Sequence, residues 1–487
     1  MNDIVKDTAT KRPTPYTAIW GGYGGGNVGD YLTLALAIKD LNGEGRACKI
    51  LNGYGHDTQK QFPDHEVINL ITPPDPKKAG LLSELKYKIA CKYQQVAFSA
   101  LRKLSTVIRE PEKLRTIYRR SSAPWLSCLA GAEKLYLVGG GYLNDMFEVD
   151  SLRILEAAHY FGIPVETAPV GLGPFKSELA QAQFAQVLKS ARLRVRDTES
   201  LALAKTMGLE ATLQPDDGFR IAELLPANAH RKSLHNPERK LKIGLCIFEQ
   251  FGAHPMSKPR AHQAPDDNKT LSQRDWWFGF LKALKTACID HTAGGIEIEG
   301  FSFDERLSFE YATMTRLLPE IEASFSLDSK VILPFQNFRH AITHLRDHYD
   351  AVITCRFHAA VVAQAYGIPT LAFAAGEYYV AKMESVKANA SLCDVACPDR
   401  HTPEEAVELL LNLFSQAEQG SLQQFSGPTI SQAFLDSHAE LGRELAAYAA
   451  NTIPDITFLE NFQEDSPLSS PALSGVLSGK PLAKVLQ

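Results

Sequence analysis

Residues 350–364 read Asp-Ala-Val-Ile-Thr-Cys-Arg-Phe-His-Ala-Ala-Val-Val-Ala-Gln. Two apolar runs stand here with only Arg356, Phe357 and His358 between them. The first, 351–355, is rich in β-branched residues and bounded by polar ones, which suits a buried strand. The second, from Ala359, suits a buried helix. A buried strand that passes straight into a buried helix is the repeating unit of a sheet covered on both faces.

The same unit recurs along the chain. Residues 16–20 form an expected strand that feeds Gly21-Gly-Tyr-Gly-Gly-Gly-Asn27-Val-Gly29-Asp30, then a helix spaced through Tyr31, Leu34, Leu36, Ile38 and Leu41. Further strands are expected at 47–51, 134–138, 164–170, 193–195 and 211–214. They close on Asn52-Gly53-Tyr54, Gly139-Gly140-Gly141-Tyr142, Gly171-Leu172-Gly173-Pro174, Arg196-Asp197 and Pro215-Asp216-Asp217-Gly218. Helices are expected from 151, at 178–189 and at 198–207. After a Pro-, Asn- and charge-rich linker, a second α/β run has strands at 241–248, 296–301, 331–334, 351–355 and 370–374. Its helices fall at 274–289, 305–318, 337–346 and 359–366, and two more follow at 402–418 and 430–450. Glycine-rich turns after strands gather at one sheet edge, where ligands bind in open α/β folds.

The domain plan is therefore a flexible N-terminus (1–14), an α/β domain (15–226), a linker (227–240), a second α/β domain (241–400), terminal helices (401–455) and a loose Ser/Pro/Leu/Gly-rich tail (456–487). At 487 residues the chain is long enough for such a plan.

Several residues are candidates for chemistry. Unpaired N–H groups at a helix start attract anions. Arg356 adds a permanent charge that can bond two oxygens at once, and His358 adds a proton donor or acceptor near neutral pH. The competing reading is a helix cap beside a packed histidine. Arg196 is an anion ligand or the partner of Asp197 or Glu199. Asn27 and Asp30 bond a ligand's hydroxyls or cap their helix. Gly24, Gly26 and Gly29 match the dinucleotide fingerprint literally, but the second strand lacks the acid that holds a ribose, and no Walker lysine is present. Glu297 and Glu299 share a strand face, as an acid/base pair or as exposed edge carboxylates. His254 and His262, in a polar loop at 250–271, lack metal-like spacing.

Composition limits the partners. A net charge of −5 offers no global attraction to nucleic acid. The eight cysteines show no Cys-x-x-Cys spacing, which fits a reduced cytosol better than a zinc site or disulfide framework. No run reaches the ~20 apolar residues that span a bilayer. Residues 81–120 are expected to be one or two basic amphipathic helices, lying against anionic lipid or forming a solvated face. Oligomeric state is left open.

Taken in order, these motifs resemble the polysaccharide pyruvyl transferase family. Gly-Gly-Asn27-Val-Gly29-Asp30-Tyr-Leu is similar to its opening G-N-x-G-D, and Leu137-Val-Gly-Gly140-Gly141-Tyr-Leu to its central glycine turn. Gly171-Leu-Gly173-Pro, Val195-Arg196-Asp-Thr-Glu-Ser and Gln214-Pro-Asp216 follow in family order. Thr354-Cys-Arg356-Phe357-His358-Ala-Ala, Gly367-Ile-Pro-Thr and Lys382 match the C-terminal half, with Phe357 where the family usually has leucine. The resemblance spans about residues 16 to 385. It implies two Rossmann-like domains facing across a cleft, as in GT-B glycosyltransferases, with terminal helices packing across them.

For function, the resemblance implies phosphoenolpyruvate as co-substrate, with no cofactor or metal. The acceptor would be a glycan, lipid-linked or not, in exopolysaccharide synthesis, and the product a pyruvate ketal. Arg196, Arg356, His358 and Lys382 would form the donor site. Phe357, Asn27, Asp30, Gly140, Gly141, Gly173 and Asp216 would line the substrate site. The setting would be cytoplasmic, with peripheral contact at the inner membrane face as an open alternative. Rival readings are a nucleotide-sugar glycosyltransferase on the same fold and a non-catalytic glycan-assembly subunit.

Overall fold

The computed structural model describes residues 15–53, 57–70, 81–145, 148–227, 239–248, 273–291, 295–304 and 309–420. By compactness the chain divides into Met1–Ala417 and Glu418–Gln487, and the elements that follow belong to the first unit up to the end of its last helix. The expected N-terminal arm, the 250–271 loop, most of the linker, the 430–450 helix and the tail lie outside the described residues.

The first lobe opens with β1 (Tyr16–Trp20), α1 (Val28–Gly43), β2 (Ala47–Asn52), α2 (Asp57–Gln61) and β3 (Glu66–Asn69). Three helices follow: α3 (Leu81–Val107), α4 (Pro111–Tyr118) and α5 (Pro124–Gly131). Next come β4 (Lys134–Leu137), β5 (Gly140–Leu143), α6 (Glu148–Tyr160), β6 (Val165–Thr167) and β7 (Val170–Leu172). The lobe ends with α7 (Glu178–Leu188), β8 (Leu193–Val195), α8 (Thr198–Thr206), β9 (Ala211–Leu213) and a 3-10 turn, Asp217–Glu223.

Its main sheet is parallel, in the order β3-β2-β1-β4-β6. A second parallel ladder runs β5-β7-β8-β9. The chain thus steps from the main sheet to the second ladder twice, after β4 and after β6, and returns once, after β5. This corrects the expectation of one strand at 164–170 and of glycine turns at Gly140, Gly141 and Gly171, all three of which lie in strands. Pro169 has no N–H to give a ladder. At Gly140 a Cβ would lie 2.7 Å from the Tyr142 ring. Pro169 stands in the break before β7, and Gly140 opens β5 by pairing with Val170, so pairing restarts in the second ladder.

The second lobe contains β10 (Leu241–Cys246), α9 (Gln273–His291), β11 (Ile296–Gly300), α10 (Phe309–Phe325) and β12 (Asp328–Val331). It continues with α11 (Phe338–His348), β13 (Ala351–Thr354), α12 (Phe357–Ala365), β14 (Thr370–Phe373), α13 (Glu377–Lys387), β15 (Cys393–Ala396) and α14 (Pro403–Gly420). One unbroken parallel sheet runs β12-β11-β10-β13-β14-β15. That is the 3-2-1-4-5-6 order of a doubly wound fold, whose switch point lies between β10 and β13.

Three expectations are corrected here. The strand expected at 331–334 is β12, three residues earlier; it is an edge strand whose Lys330 bonds Glu297 and Glu299 of β11. The helix expected at 305–318 runs through Pro319 to Phe325, held by buried Leu317, Leu318 and Ile321. Glu299 is not an exposed edge carboxylate: it is 2% exposed and accepts bonds from His344, Lys242, Lys330 and Tyr349. Burial raises its pKa, but these partners outweigh burial and hold the group below the usual carboxylate range. It is a structural hub for β11, β10 and α11.

The second lobe has its own core, with Trp276, Trp277, Phe280 and Phe373 packed as a cluster and Ala406, Val407 and Leu410 of α14 inside it. A second core belongs to neither lobe alone. Ile19, Val28, Leu32 and Ile38 of the first lobe share it with Phe301, Phe303, Ile342, Val352 and Val362 of the second. At the start of α1, Val28 N–H donates to the Phe303 carbonyl at 3.2 Å, and Asn27 forms an isolated bridge with Asp304. The two lobes are stitched together where α1 begins.

Candidate functional site

Helix α12 is buried on every side, from Phe357 to Ala363, so its start is fixed in place. Arg356 is its N-cap residue, and the Arg356 N–H donates to Thr354 Oγ1 at 2.9 Å. Phe357 and His358 lie inside the first helical turn and not, as expected, in a turn before it. The Arg356 Nε donates to Glu310 of α10, which is fully buried, and its guanidinium lies 5.3 Å over the Phe248 ring. Burial alone would lower the Arg356 pKa; Glu310 outweighs it and keeps the group firmly charged.

The first lobe delivers Arg196 from the end of β8. It is 4% exposed. Nη1 donates to Asp216 Oδ2 at 3.1 Å, and Nε stands 3.7 Å from Asp197 Oδ2 without a hydrogen-bond partner. A Cβ on Gly171 would come within 3.2 Å of Arg196 Nη2, so the glycine lets the guanidinium lie close against strand β7. On its other side the guanidinium sits 4.1 Å over the Phe357 ring, and Lys382 Nζ lies 5.4 Å from the same ring. Each such contact contributes roughly 0.5–2 kcal/mol, more as water is excluded.

Asp216 joins the two lobes electrostatically. Its Oδ1 accepts from Gly218 N–H at 2.9 Å and lies 3.6 Å from His358 Nε2. Burial pulls its pKa up, but His358, Arg196 and the Gly218 N–H outweigh burial and hold it well below the usual carboxylate range. His358 is 7% exposed, and its Nε2 has no hydrogen-bond partner. The imidazole fits only because position 29 is glycine: a Cβ there would fall 2.1 Å from His358 Nδ1. Asp30, in the first turn of α1, feels His358, Lys382, Arg356 and Arg196 together; burial still raises its pKa above the usual value.

The structure therefore brings Arg196, Asp216, Phe357, His358 and Lys382 into one cluster, with Asp30 and Arg356 in its field. Asn27 is different. It caps α1, its Oδ1 accepting from Gly29 N–H at 3.0 Å, so of its two readings the cap is the one seen. Gly141 lies beside Gly171, next to the Arg196 guanidinium. Gly140 serves the strand step, and Gly173 N–H closes β7 onto the Leu143 carbonyl at 2.8 Å. Asn52, where a dinucleotide fold would carry its acid, bonds Asn69 and Thr58 instead.

Sequence reasoning did not single out Glu310, and it read Gly171 as part of a turn and a family motif without foreseeing its place beside Arg196. Nothing local marks Glu310 among the acids of its helix, because its partner is 46 residues away. Among the described residues, no group of three or more His, Cys, Asp and Glu is placed to hold a metal ion.

Chemically, the cluster is a buried, largely cationic seat with two nitrogens, Arg196 Nε and His358 Nε2, that make no hydrogen bond although Asp197 and Asp216 lie 3.7 and 3.6 Å away. Unsatisfied buried donors cost about 1–3 kcal/mol each, a cost that an anionic ligand would relieve.

Known proteins share this fold and this family. Among solved structures, one from Listeria monocytogenes assigned as a UDP-N-acetylglucosamine 2-epimerase aligns with a TM-score of 0.50 at 10% identity, covering 90% of this chain and 97% of that one. The UDP-GlcNAc 2-epimerase of Methanocaldococcus jannaschii aligns at 0.49 and 9% identity, over 89% and 100% of the two chains. The first of these likenesses supports the fold alone, two Rossmann-like lobes in the GT-B manner. No curated protein matches the chain. The family model described as polysaccharide pyruvyl transferase matches residues 27–376, which runs from the α1 cap past Arg196, Asp216, Arg356 and His358. With most of its length so matched, the chain belongs to the polysaccharide pyruvyl transferase family.

Proposed function

We propose that the protein transfers the enolpyruvyl group of phosphoenolpyruvate to two hydroxyls of a glycan sugar, forming a pyruvate ketal and releasing phosphate. The observation that carries this reading is a pair of buried nitrogens that make no hydrogen bond, Arg196 Nε and His358 Nε2, in a cluster that also holds Lys382. Phosphoenolpyruvate concentrates about three negative charges on a small frame, and only several fixed cations and helix-start N–H groups make its burial feasible. Arg196, Arg356, Lys382 and the N-terminus of α12 are that set.

The reaction balances as follows. A proton is delivered to the enol methylene carbon, which becomes methyl, and C2 becomes electrophilic. One sugar hydroxyl adds to C2 and gives up its proton. The C2–O bond to phosphate breaks, phosphate leaves, and a second hydroxyl adds with loss of its proton. Of the two hydroxyl protons, one is accounted for by the new methyl group and the other by phosphate. His358 is the general acid, oriented by Asp216, whose Oδ1 lies 3.6 Å from its Nε2. Asp30, whose proton affinity burial raises, is the base for the hydroxyl. No cofactor enters this scheme; phosphoenolpyruvate is a co-substrate. The work is placed in the cytoplasm, where phosphoenolpyruvate is made.

The test is phosphate release from phosphoenolpyruvate that depends on an added sugar acceptor. His358→Ala is expected to lower the rate roughly 10²–10⁴-fold, while His358→Gln separates proton transfer (kcat) from binding (KM). Stabilisation by a nucleotide sugar, with none by phosphoenolpyruvate, would instead assign the site to glycosyl transfer.

A further inference from the structure

Helix α3 is 27 residues long, or about 40 Å. Only its inner face packs. Ala97, Phe98, Leu101 and Leu104 are buried, and Gln94 accepts from Trp125 Nε1 at 2.6 Å. The opposite face carries large apolar side chains in the open: Leu85 is 52% exposed, Ile89 60%, Val96 40% and Val107 64%. At 100° per residue these four fall within about 40° of one another around the helix, and the buried residues face the other way. The described residues have only three other exposed large apolar side chains: Leu179 on α7, Leu213 on β9 and Leu333 in the loop after β12. The concentration on α3 is not scatter.

Charge singles out the same helix. Lys86, Lys88, Lys92, Arg102 and Lys103 stand against the lone acid Glu84, in a chain whose net charge is −5. Lys92 and Lys103 fall on the apolar stripe itself, and Lys86 and Lys88 flank it. An apolar stripe bordered by lysines, with almost no acid, is what an interfacial helix presents to anionic headgroups: the alkyl stems extend the apolar surface while the amines reach the phosphates. An acidic protein groove would match the charge, but a straight stripe of this length with no polar interruption other than lysine fits a flat surface better. Among the described residues no helix is long and apolar enough to cross a membrane, so contact of this kind would lie along the surface.

We propose that α3 docks the protein on the surface of an anionic lipid bilayer, with Leu85, Ile89 and Val96 inserted at the headgroup level and Lys86, Lys88 and Lys92 on the lipid phosphates. The proposal is independent of the donor chemistry, and its test uses no substrate. Full-length protein is sedimented with vesicles of phosphatidylglycerol mixed into phosphatidylcholine, and with phosphatidylcholine alone. Binding to the mixed vesicles only is expected, weakened at ~0.5 M salt, where charges are screened beyond a few ångströms. Two triple variants, Leu85→Asp with Ile89→Asp and Val96→Asp, and Lys86→Glu with Lys88→Glu and Lys92→Glu, should each cut partitioning at least ~10-fold. All six side chains are exposed, so both variants should keep the parent Tm and its phosphate release with a soluble acceptor.

Absence of binding to mixed vesicles overturns the proposal. So does equal binding to both vesicle types, or binding that neither variant weakens. A dimer that forms without lipid and is lost in the Asp variant would instead assign the stripe to a second copy of the chain.

Discussion

The two lobes each hold an arginine against a buried carboxylate, yet the two pairs are built differently. In the first lobe Arg196 bonds Asp216, and their side chains are 3% and 2% exposed. In the second, Arg356 bonds Glu310, but its side chain is 27% exposed while Glu310 is fully enclosed. Arg196 is thus a floor, walled by the Gly171 strand below and the Phe357 ring above. Arg356 is a rim, anchored through one nitrogen and reachable by solvent. The lesson concerns what an arginine can do once placed. A fully desolvated pair is both structure and ligand, and loss of either partner leaves a buried charge. A half-open pair can turn toward a ligand at little cost to the fold.

The most forceful way to break this comparison is to shorten the fork on each side. Arg196→Lys should lose roughly 2–3 kcal/mol of stability, because lysine cannot bond Asp216 and stack on Phe357 together. Arg356→Lys should lose about 1 kcal/mol and should act mainly on KM for phosphoenolpyruvate. Denaturant midpoints and steady-state kinetics on both variants decide it; a larger stability loss at Arg356 reverses floor and rim.

A comparable effect sharpens the acidic character of the first lobe. Burial pushes the pKa of Asp217 up from 3.8 to about 6. Its folded form therefore binds a proton more tightly than its unfolded form, so its contribution to stability falls as pH rises from about 4 through about 6. Asp217→Asn removes that slope. Its Tm should come closest to the parent near pH 4 and exceed it at pH 7, by the equivalent of roughly 2–3 kcal/mol. A constant difference across that range excludes the ionisation of Asp217 as the cause.

The smallest effect belongs to the ring both lobes share. Phe357→Leu restores the residue usual in the family and removes the face under Arg196 and Lys382. About 0.5–1 kcal/mol of stability should go, with a KM change of a few-fold and kcat nearly kept. Isothermal titration with phosphoenolpyruvate would register it.

Much of this was legible in the sequence, because strand and helix periods are local. Residues 351–355, 16–20 and 241–248 read as strands from their own apolar runs, and β13, β1 and β10 are where they ought to be. The ladder step at Gly139–Gly140 was not legible, since a glycine that ends a strand and a glycine that redirects one look alike. Nor was β12, a polar edge strand that exists because Lys330 finds Glu297 and Glu299. α13 and β15 went unread because neither short segment has a clear apolar period. At the site, residue types that bear charge or a proton drew attention on their own. What could not be read was pairing. That Asp216 would hold Arg196 and face His358 depends on a fold that closes 142 residues between Asp216 and His358 to 3.6 Å, and that Glu310 would hold Arg356 has the same origin.

The apolar body shared by Ile19, Val28, Leu32, Phe301, Phe303 and Val362 has a further consequence. Many two-lobed enzymes breathe about a hinge, so each half can be lent, swapped or tuned almost as a module. Here the halves interpenetrate beside the glycine at position 29 that accommodates His358, and parting them would strip hydrocarbon bare on both. Heat should therefore melt them in a single cooperative step, with the two halves unfolding together.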